Sequence, residues 1–455
     1  MARKVVIVGA GPAGLAAALT LKGKADVTLI DSGKRVLERK CPSPDRCIQC
    51  GTCPKKYGIG GAGSFSDGKF IFETLLGNRA IGSNLYELIG IEQEQLYLKK
   101  AREIFQTFYG KEIQNPDLTK AKEIERVARS HDMDYLVALD QHIGTDKLPE
   151  LIKSIESELE NNGVEIITEE KIKDFNEKKI IGEKSNYTYD SLVLAPGRDG
   201  CLWLENLLRK KKIPYSFRPV DIGFRIETDE KILEHLVKTE RDVKLQFRAP
   251  NGDSIRTFCV CPNGMVTAES CRGGYKLVNG MSSSYELSKN TNFALLTTIP
   301  LKKNVGTNSF GEALAILFRE WGANQVTVQR LGDLNQDRSS KEHTLSEWRI
   351  KPTLRDVNIG DVGAMCYRHV RTLLYGIERL SVPGLMFGLN NYSTLLYGPE
   401  LKSHGIKIQT TNQLRSTSGK YSDIYFAGDG SGFSRGIGGA MASGILAAEG
   451  ITKEL

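Results

Sequence analysis

Residues 4–31 read KVVIVGAGPAGLAAALTLKGKADVTLID. The opening KVVIV is an apolar, β-branched run of the kind that forms a buried parallel strand. Gly9, Gly11 and Gly14 follow it, residues 13–22 predict an alanine-rich helix, and ADVTLID predicts a second strand. Each glycine has a physical use in that order. Gly9 permits a tight turn, Gly11 leaves bare backbone for a phosphate to approach, and Gly14 lets helix and strand pack closely. Pro12 and Ala13 open the helix, whose N-terminus carries about half a positive charge and so favours phosphates. Asp31 lies 17 residues beyond Gly14, with Ser32 beside it, where a carboxylate can accept from ribose hydroxyls. The stretch predicts a dinucleotide site on an α/β fold.

The rest of the chain bounds that reading. It has 455 residues, a net charge of +7, 26% charged and 40% hydrophobic residues, all ordinary for a globular protein. Disordered, collagenous and membrane-embedded classes are excluded. The apolar run at the start carries three glycines and a proline, which argue against a leader peptide or a span, and no other stretch approaches ~18 apolar residues. A soluble, cytoplasmic chain with no membrane partner is expected. The mild positive charge is unclustered, so no nucleic-acid partner is expected.

The nature of the dinucleotide follows from the far end. Ile424-Tyr425-Phe426 reads as a strand, followed by Gly428-Asp429-Gly430, a glycine loop, and a small-residue helix opening at Gly436, Ile437 and Gly438. This arrangement resembles the end of the FAD flavoproteins of the glutathione-reductase type. The resemblance implies that Gly428 and Asp429 hold the ribitol and phosphate region and that the helix aims its N-terminus at the flavin. Leu192-Val193-Leu194-Ala195-Pro196-Gly197 resembles the strand-then-glycine motif of the same group. It ends a β-meander behind the cofactor in that group, and the resemblance implies that Ile172, Ala195 and Gly197 bind the cofactor. FAD is therefore expected rather than NAD. A second glycine run, Gly58-Ile59-Gly60-Gly61-Ala62-Gly63, follows no hydrophobic strand. With Ser64, Ser66, Asp67, Gly68 and Lys69 it is read as a loop whose backbone donors face the flavin and its phosphates. A surface loop is the alternative.

These residues, with GGAGSFSDGK (60–69), IGTDKL (143–148), LAPGRDG (194–200), DIGFRIE (221–227), FCVCPNG (258–264), NGMS (279–282) and GDGSGFSRGI (428–437), resemble a poorly characterised family of FAD-dependent dehydrogenases. The likeness runs from about Val5 to Gly450. It implies a Rossmann-like FAD-binding domain interrupted by a mixed α+β substrate domain, and no particular substrate. The expected boundaries are 1–83 for the first part of the FAD domain and 84–140 for a helical insertion. The meander and glycine motif take 141–204, the substrate domain 205–385, and the C-terminal part of the FAD domain 386–455. Gly430-Ser431-Gly432 departs from the aromatic-hydroxylase branch, which carries an alanine-rich turn and a downstream proline there. A dehydrogenase or reductase is expected over an oxygen-activating hydroxylase.

Cys41, Cys47, Cys50 and Cys53 fall within 13 residues, spaced C-x5-C-x2-C-x2-C and followed by Pro54. The overlapping spacing echoes the bacterial ferredoxin run, so a [4Fe–4S] cluster is expected, with zinc as the alternative and reduced thiols as the third reading. Cys259 and Cys261 lie on a strand whose alternation predicts both thiols on one face, as buried packing or a redox pair. Arg225 and Glu227 read as a cross-sheet ion pair or a substrate anchor. His142 and His369 are candidate acid–base groups, but neither stands in a ligand or triad spacing, and no catalytic residue is assigned. The expectation is an FAD-dependent oxidoreductase acting on a small molecule, fed by a ferredoxin-like or NAD(P)H donor. The rivals are an RNA-modifying flavoprotein and a non-catalytic flavin-binding protein.

Overall fold

The computed structural model describes residues 2–43, 48, 50–65, 68–77, 81–113, 115–144, 146–271, 274–282, 287–299, 301, 306–362, 367–403 and 405–454. The opening strand Lys4–Val8 is the centre of a five-stranded parallel sheet in the order Ile424–Phe426, Ser191–Leu194, Lys4–Val8, Asp26–Ile30, Glu165–Ile167. Its side chains are buried on both faces, which is why the strand reads as a continuous apolar run. The helix Pro12–Leu21 packs against the C-terminal helix Ile437–Thr452. Their small residues are a consequence of that approach, since a Cβ on Gly444 would stand 2.0 Å from the Ala13 carbonyl oxygen. The N-terminal apolar stretch is thus core, and no helix among the described residues is long and apolar enough to cross a membrane.

The meander is present as Ile172–Phe175, Lys179–Gly182 and Asn186–Thr188, antiparallel in sequence order. An amphipathic helix spans Leu148–Asn161 and stops before Gly163.

A second, nine-stranded sheet runs in the order Val357–Ile359, Val326–Arg330, Leu395–Ser403, Val220–Asp229, Asn290–Ile299, Ser254–Cys261, Lys244–Arg248, Asp134–His142, Lys69–Leu76. Its inner strands put Ile222, Phe224, Ile226, Leu245, Phe247, Ile255 and Leu295 into one core. The sheets divide the chain differently from the expected boundaries. Lys69–Leu76 and Asp134–His142 pair with each other at the edge of the large sheet, and Leu395–Ser403 sits inside it beside Val220–Asp229. These pairings join segments far apart in sequence, so no local turn signal marks them. The helical segment between the two edge strands splits likewise. Ile91–Tyr109 packs on the C-terminal helix, where the Tyr97 hydroxyl donates to Glu449 at 2.9 Å, whereas Leu118–Ser130 buries Ala121, Ile124 and Ala128 in the large-sheet core.

Candidate functional site

A cavity of about 1470 Å³ opens where the carboxyl ends of the parallel strands face the large sheet. Common ligand pockets hold ~300–1,000 Å³, so there is room for a dinucleotide and a second molecule. Gly9, Asp31, Ala195 and Gly428 each follow one of four parallel strands and line it, as open α/β sheets dictate for ligand sites.

The glycines divide by role. Gly9 has φ +100°, and a Cβ there would meet the Ala195 carbonyl oxygen at 2.1 Å; on Gly14 it would meet the Gly9 carbonyl oxygen at 1.9 Å. Both are demanded by packing. A Cβ on Gly11 would meet only Gly61 Cα at 3.9 Å, so its bare backbone faces open cavity. No side chain caps the helix that starts after it, nor the C-terminal helix after Gly436, and both N-termini open on the same cavity. Their first amides are donors without intrahelical partners.

Asp31 is already partly engaged. Its Oδ2 accepts from the Ala10 amide at 2.8 Å, and its Oδ1 from the amides of Gly33 at 2.9 Å and Gly58 at 2.7 Å. A carboxylate has about four acceptor sites, so one remains for a hydroxyl. Arg39, which the sequence reading did not single out, is buried and holds the second glycine run in place. It donates to the carbonyls of Pro54 (2.8 Å), Ile59 (2.6 Å) and Gly61 (2.9 Å), and stacks 4.7 Å above the Phe65 ring. Burial lowers its guanidinium to about 10, against the pull of Asp31. Asp429 binds Arg198 through one oxygen, Oδ2, at 3.0 and 2.7 Å.

Of the expected site residues, Gly9, Gly11, Pro12, Ala13, Asp31, Ser32, Gly61, Gly63, Lys69, Ile172, Ala195, Gly197, Gly428, Asp429, Gly436 and Ile437 line the cavity. Gly14, Gly60, Ser64, Gly68 and Gly438 do not; a Cβ on Gly438, for instance, would stand 1.9 Å from the Ile71 carbonyl oxygen. Ser66 and Asp67 lie outside the described residues. Lys69, the first residue of the strand Lys69–Leu76, pairs with Asp242 just before the strand Lys244–Arg248, and Lys244 also binds it. Burial opposes the ionisation of Asp242, yet the two lysines hold it far below the carboxylate range.

Cys41, Cys50 and Cys53 line the cavity, and Cys47 lies outside the described residues. Among the described residues no group of three His, Cys, Asp or Glu is arranged to hold a metal ion. Lys56, just after the cysteines, bridges Asp199 and Glu269 at 3.2 Å each and stands 4.0 Å from the Cys271 sulfur. The alternation expected for Cys259 and Cys261 is broken by a bulge after Phe258, with Cys259 at φ +51°. Cys259 lines the cavity and Cys261 is buried. Arg225 and Glu227 do not pair: Arg225 donates to Asn292 and to the Cys259 carbonyl at 2.8 Å each, while Glu227 accepts from Thr353 at 2.6 Å and from Tyr397. Neither His142 nor His369 reaches the cavity wall.

Residues 3–213 match the family model described as pyridine nucleotide-disulphide oxidoreductase, and residues 219–403 match that of the FAD-dependent protein, C-terminal domain-like. The chain is an FAD-dependent oxidoreductase. An uncharacterised protein of Clostridium beijerinckii is 25% identical over 99% of this chain and 80% of its own length. Looser structural likenesses include glycine oxidase from Geobacillus kaustophilus, 12% identical over 99% of this chain and 95% of that one, at TM-score 0.42. CtdE in complex with FAD is 10% identical over 100% and 85%, at TM-score 0.36. This FAD-dependent oxidoreductase joins the two matched segments around one cavity: Val8–Ala13 and Ala195–Gly200 come from the first, and Asp221, Lys244 and Arg256 from the second.

Proposed function

We propose that the cavity takes FAD along the carboxyl ends of the parallel strands and a small organic molecule against the large sheet. The observation that carries the reading is the pair of uncapped helix N-termini, after Gly11 and after Gly436, opening on a single cavity that continues onto the second sheet. Gly11 and the first amides of its helix would receive the pyrophosphate, with Gly61 and Gly63 opposite. The remaining acceptor of Asp31 would take a ribose hydroxyl, and the second oxygen of Asp429 a ribitol hydroxyl. The amides after Gly436 would face the flavin and favour negative charge there. When bound, FAD supplies a carrier that exchanges hydride or electrons with an organic molecule. Arg39 keeps the Gly58–Phe65 loop shaped for that ligand, and the large sheet excludes bulk water from its far side.

The substrate is a small molecule and the donor NAD(P)H or a ferredoxin-like carrier. The four-cysteine cluster, as [4Fe–4S] or zinc, gains no support from the described residues. The test is the flavin content of purified protein, followed by anaerobic photoreduction and reoxidation by candidate acceptors, with NADH, NADPH and reduced ferredoxin compared as donors. One FAD per chain and turnover with an organic acceptor are expected. A chain that stays colourless after incubation with FAD overturns the reading, and a flavin that no small molecule reoxidises leaves the non-catalytic alternative.

A further inference from the structure

The large-sheet side of the cavity is built by strand alternation. Asp221, Thr298, Ser254, Arg256, Gln246 and Lys244, on four adjoining strands, line the cavity, while the neighbouring Ile222 and Ile255 enter the core. Among the described residues, this wall with Lys69, Lys402 and Arg435 sets five cations against two carboxylates, Asp221 and Asp242, and Lys402 is held by Glu400. Both carboxylates are taken. Asp242 accepts from Lys69, Lys244 and the Val260 amide, and Asp221 from Arg256 and, at 2.6 Å, from the Thr298 hydroxyl.

Arg435 is the cation left over. Its own amide donates to Gly82 at 3.0 Å, which fixes the residue directly before the uncapped helix start at Gly436. Its Nε is buried without a hydrogen-bond partner, and no salt bridge among the described residues engages its guanidinium. Burial, and then the neighbouring Arg256, lower its pKa; Asp221 opposes them, and Arg218 adds to the repulsion. Those neighbours lie on or beside the large sheet rather than at the Gly9–Gly14 turn. A half-buried guanidinium whose Nε donor is buried and unmet, next to a second cation, is costly, and a ligand anion relieves that cost.

We propose that the molecule accepted beside the flavin is an organic anion, a carboxylate or a phosphate ester, whose oxyanion is held by Arg435 with Arg256 next to it. The proposal rests on the FAD reading above and names the substrate class for that same site. Planar guanidinium forks suit both oxyanions.

The test titrates the FAD-loaded protein with benzoate, benzamide and inorganic phosphate, read by the flavin absorption spectrum and by calorimetry. Saturable binding of benzoate or phosphate is expected, with benzamide at least about tenfold weaker. Arg435→Gln is expected to lose about 10- to 100-fold in anion affinity while keeping its FAD. Tighter benzoate identifies a carboxylate substrate, and tighter phosphate a phosphate ester. Equal binding of benzamide and benzoate, or no anion binding, overturns the proposal. So does unchanged affinity in Arg435→Gln, and loss of FAD rather than of the anion assigns Arg435 to the cofactor instead. If that variant does not fold, Arg435→Lys decides: the charge without the fork should bind benzoate several-fold more weakly, and unchanged affinity overturns the role. A protein that holds no FAD fails the underlying reading, and calorimetry on that apoprotein still reports whether the anion binds.

Discussion

The carboxylate of Asp31 accepts the amide of Gly58 at 2.7 Å, across 27 residues that include the cysteine-rich segment. It also accepts the amides of Ala10 and Gly33, so one side chain ties the first turn, the second strand and the glycine loop together. Asp31→Ala strands all three donors. Hydrogen bonds to a charged group contribute ~1.5–3 kcal/mol each and neighbours do not add, so a loss of about 3 kcal/mol in chemical denaturation is expected. FAD affinity should fall at least about tenfold beside it. Asp31→Asn keeps one strong acceptor and should recover much of the stability but little of the affinity. Unchanged stability in Asp31→Ala would mean that water satisfies the amides.

The glycines of the first turn should respond in opposite ways. A methyl on Gly11 meets nothing closer than 3.9 Å, and its backbone, at φ −73°, suits alanine. Gly11→Ala should therefore fold within about 1 kcal/mol of wild type and lose FAD affinity, because the methyl occupies the ligand's place. Gly14→Ala drives Cβ to 1.9 Å from the Gly9 carbonyl oxygen and should unfold or precipitate. Thermal melts and FAD titration of the pair separate the two outcomes, and equal melting points would sink the distinction.

The parallel-strand wall of the cavity is legible in the sequence because its signals are local. Gly9, Gly11, Gly14 and Asp31 act within one strand–turn–helix–strand unit, and Gly428 and Asp429 within another. The large-sheet wall is not local. Asp221, Lys244 and Arg256 stand on three strands, and each by itself reads as an ordinary polar residue in an alternating strand. Only the register brings them to one face. Arg39 was hidden for another reason: its partners are backbone carbonyls, which leave no trace in the sequence. Lys69 lines the cavity, but its pairing with Asp242, 173 residues further on, is not readable from spacing. At Cys259 the period-2 argument failed at a bulge, where strand alternation no longer holds.

Glu240 makes stability depend on pH. Burial, resisted by Lys244 and reinforced by Asp140, pushes its carboxyl from 4.5 up to about 8. The Ala138 amide donates to it at 3.1 Å. Between those two values the folded chain holds a proton that the unfolded chain releases, so stability is fully present below 4.5 and declines as pH rises through 8. The contribution is at most about 5 kcal/mol. Glu240→Gln is uncharged throughout, so urea midpoints should favour the variant at about pH 9 and converge near pH 5. Parallel pH curves for the two proteins would show that the carboxyl titrates normally.

The disulphide in the first family description raises the question of whether a cavity thiol does redox work, and Cys271 is the one whose surroundings answer it. Burial pushes its thiol up to about 12; Lys56 at 4.0 Å opposes this, and Glu269 and Asp199 reinforce it. Lys56 is itself held by those two carboxylates, so little of its charge is left to stabilise a thiolate. At pH 8 the thiolate is about one part in ten thousand, against about one in four for an ordinary exposed cysteine. Iodoacetamide should therefore label Cys271 roughly a thousandfold more slowly in the folded protein than in urea, as read by peptide mass spectrometry. Rapid labelling of Cys271 in the folded chain would make it a candidate redox thiol of the cavity.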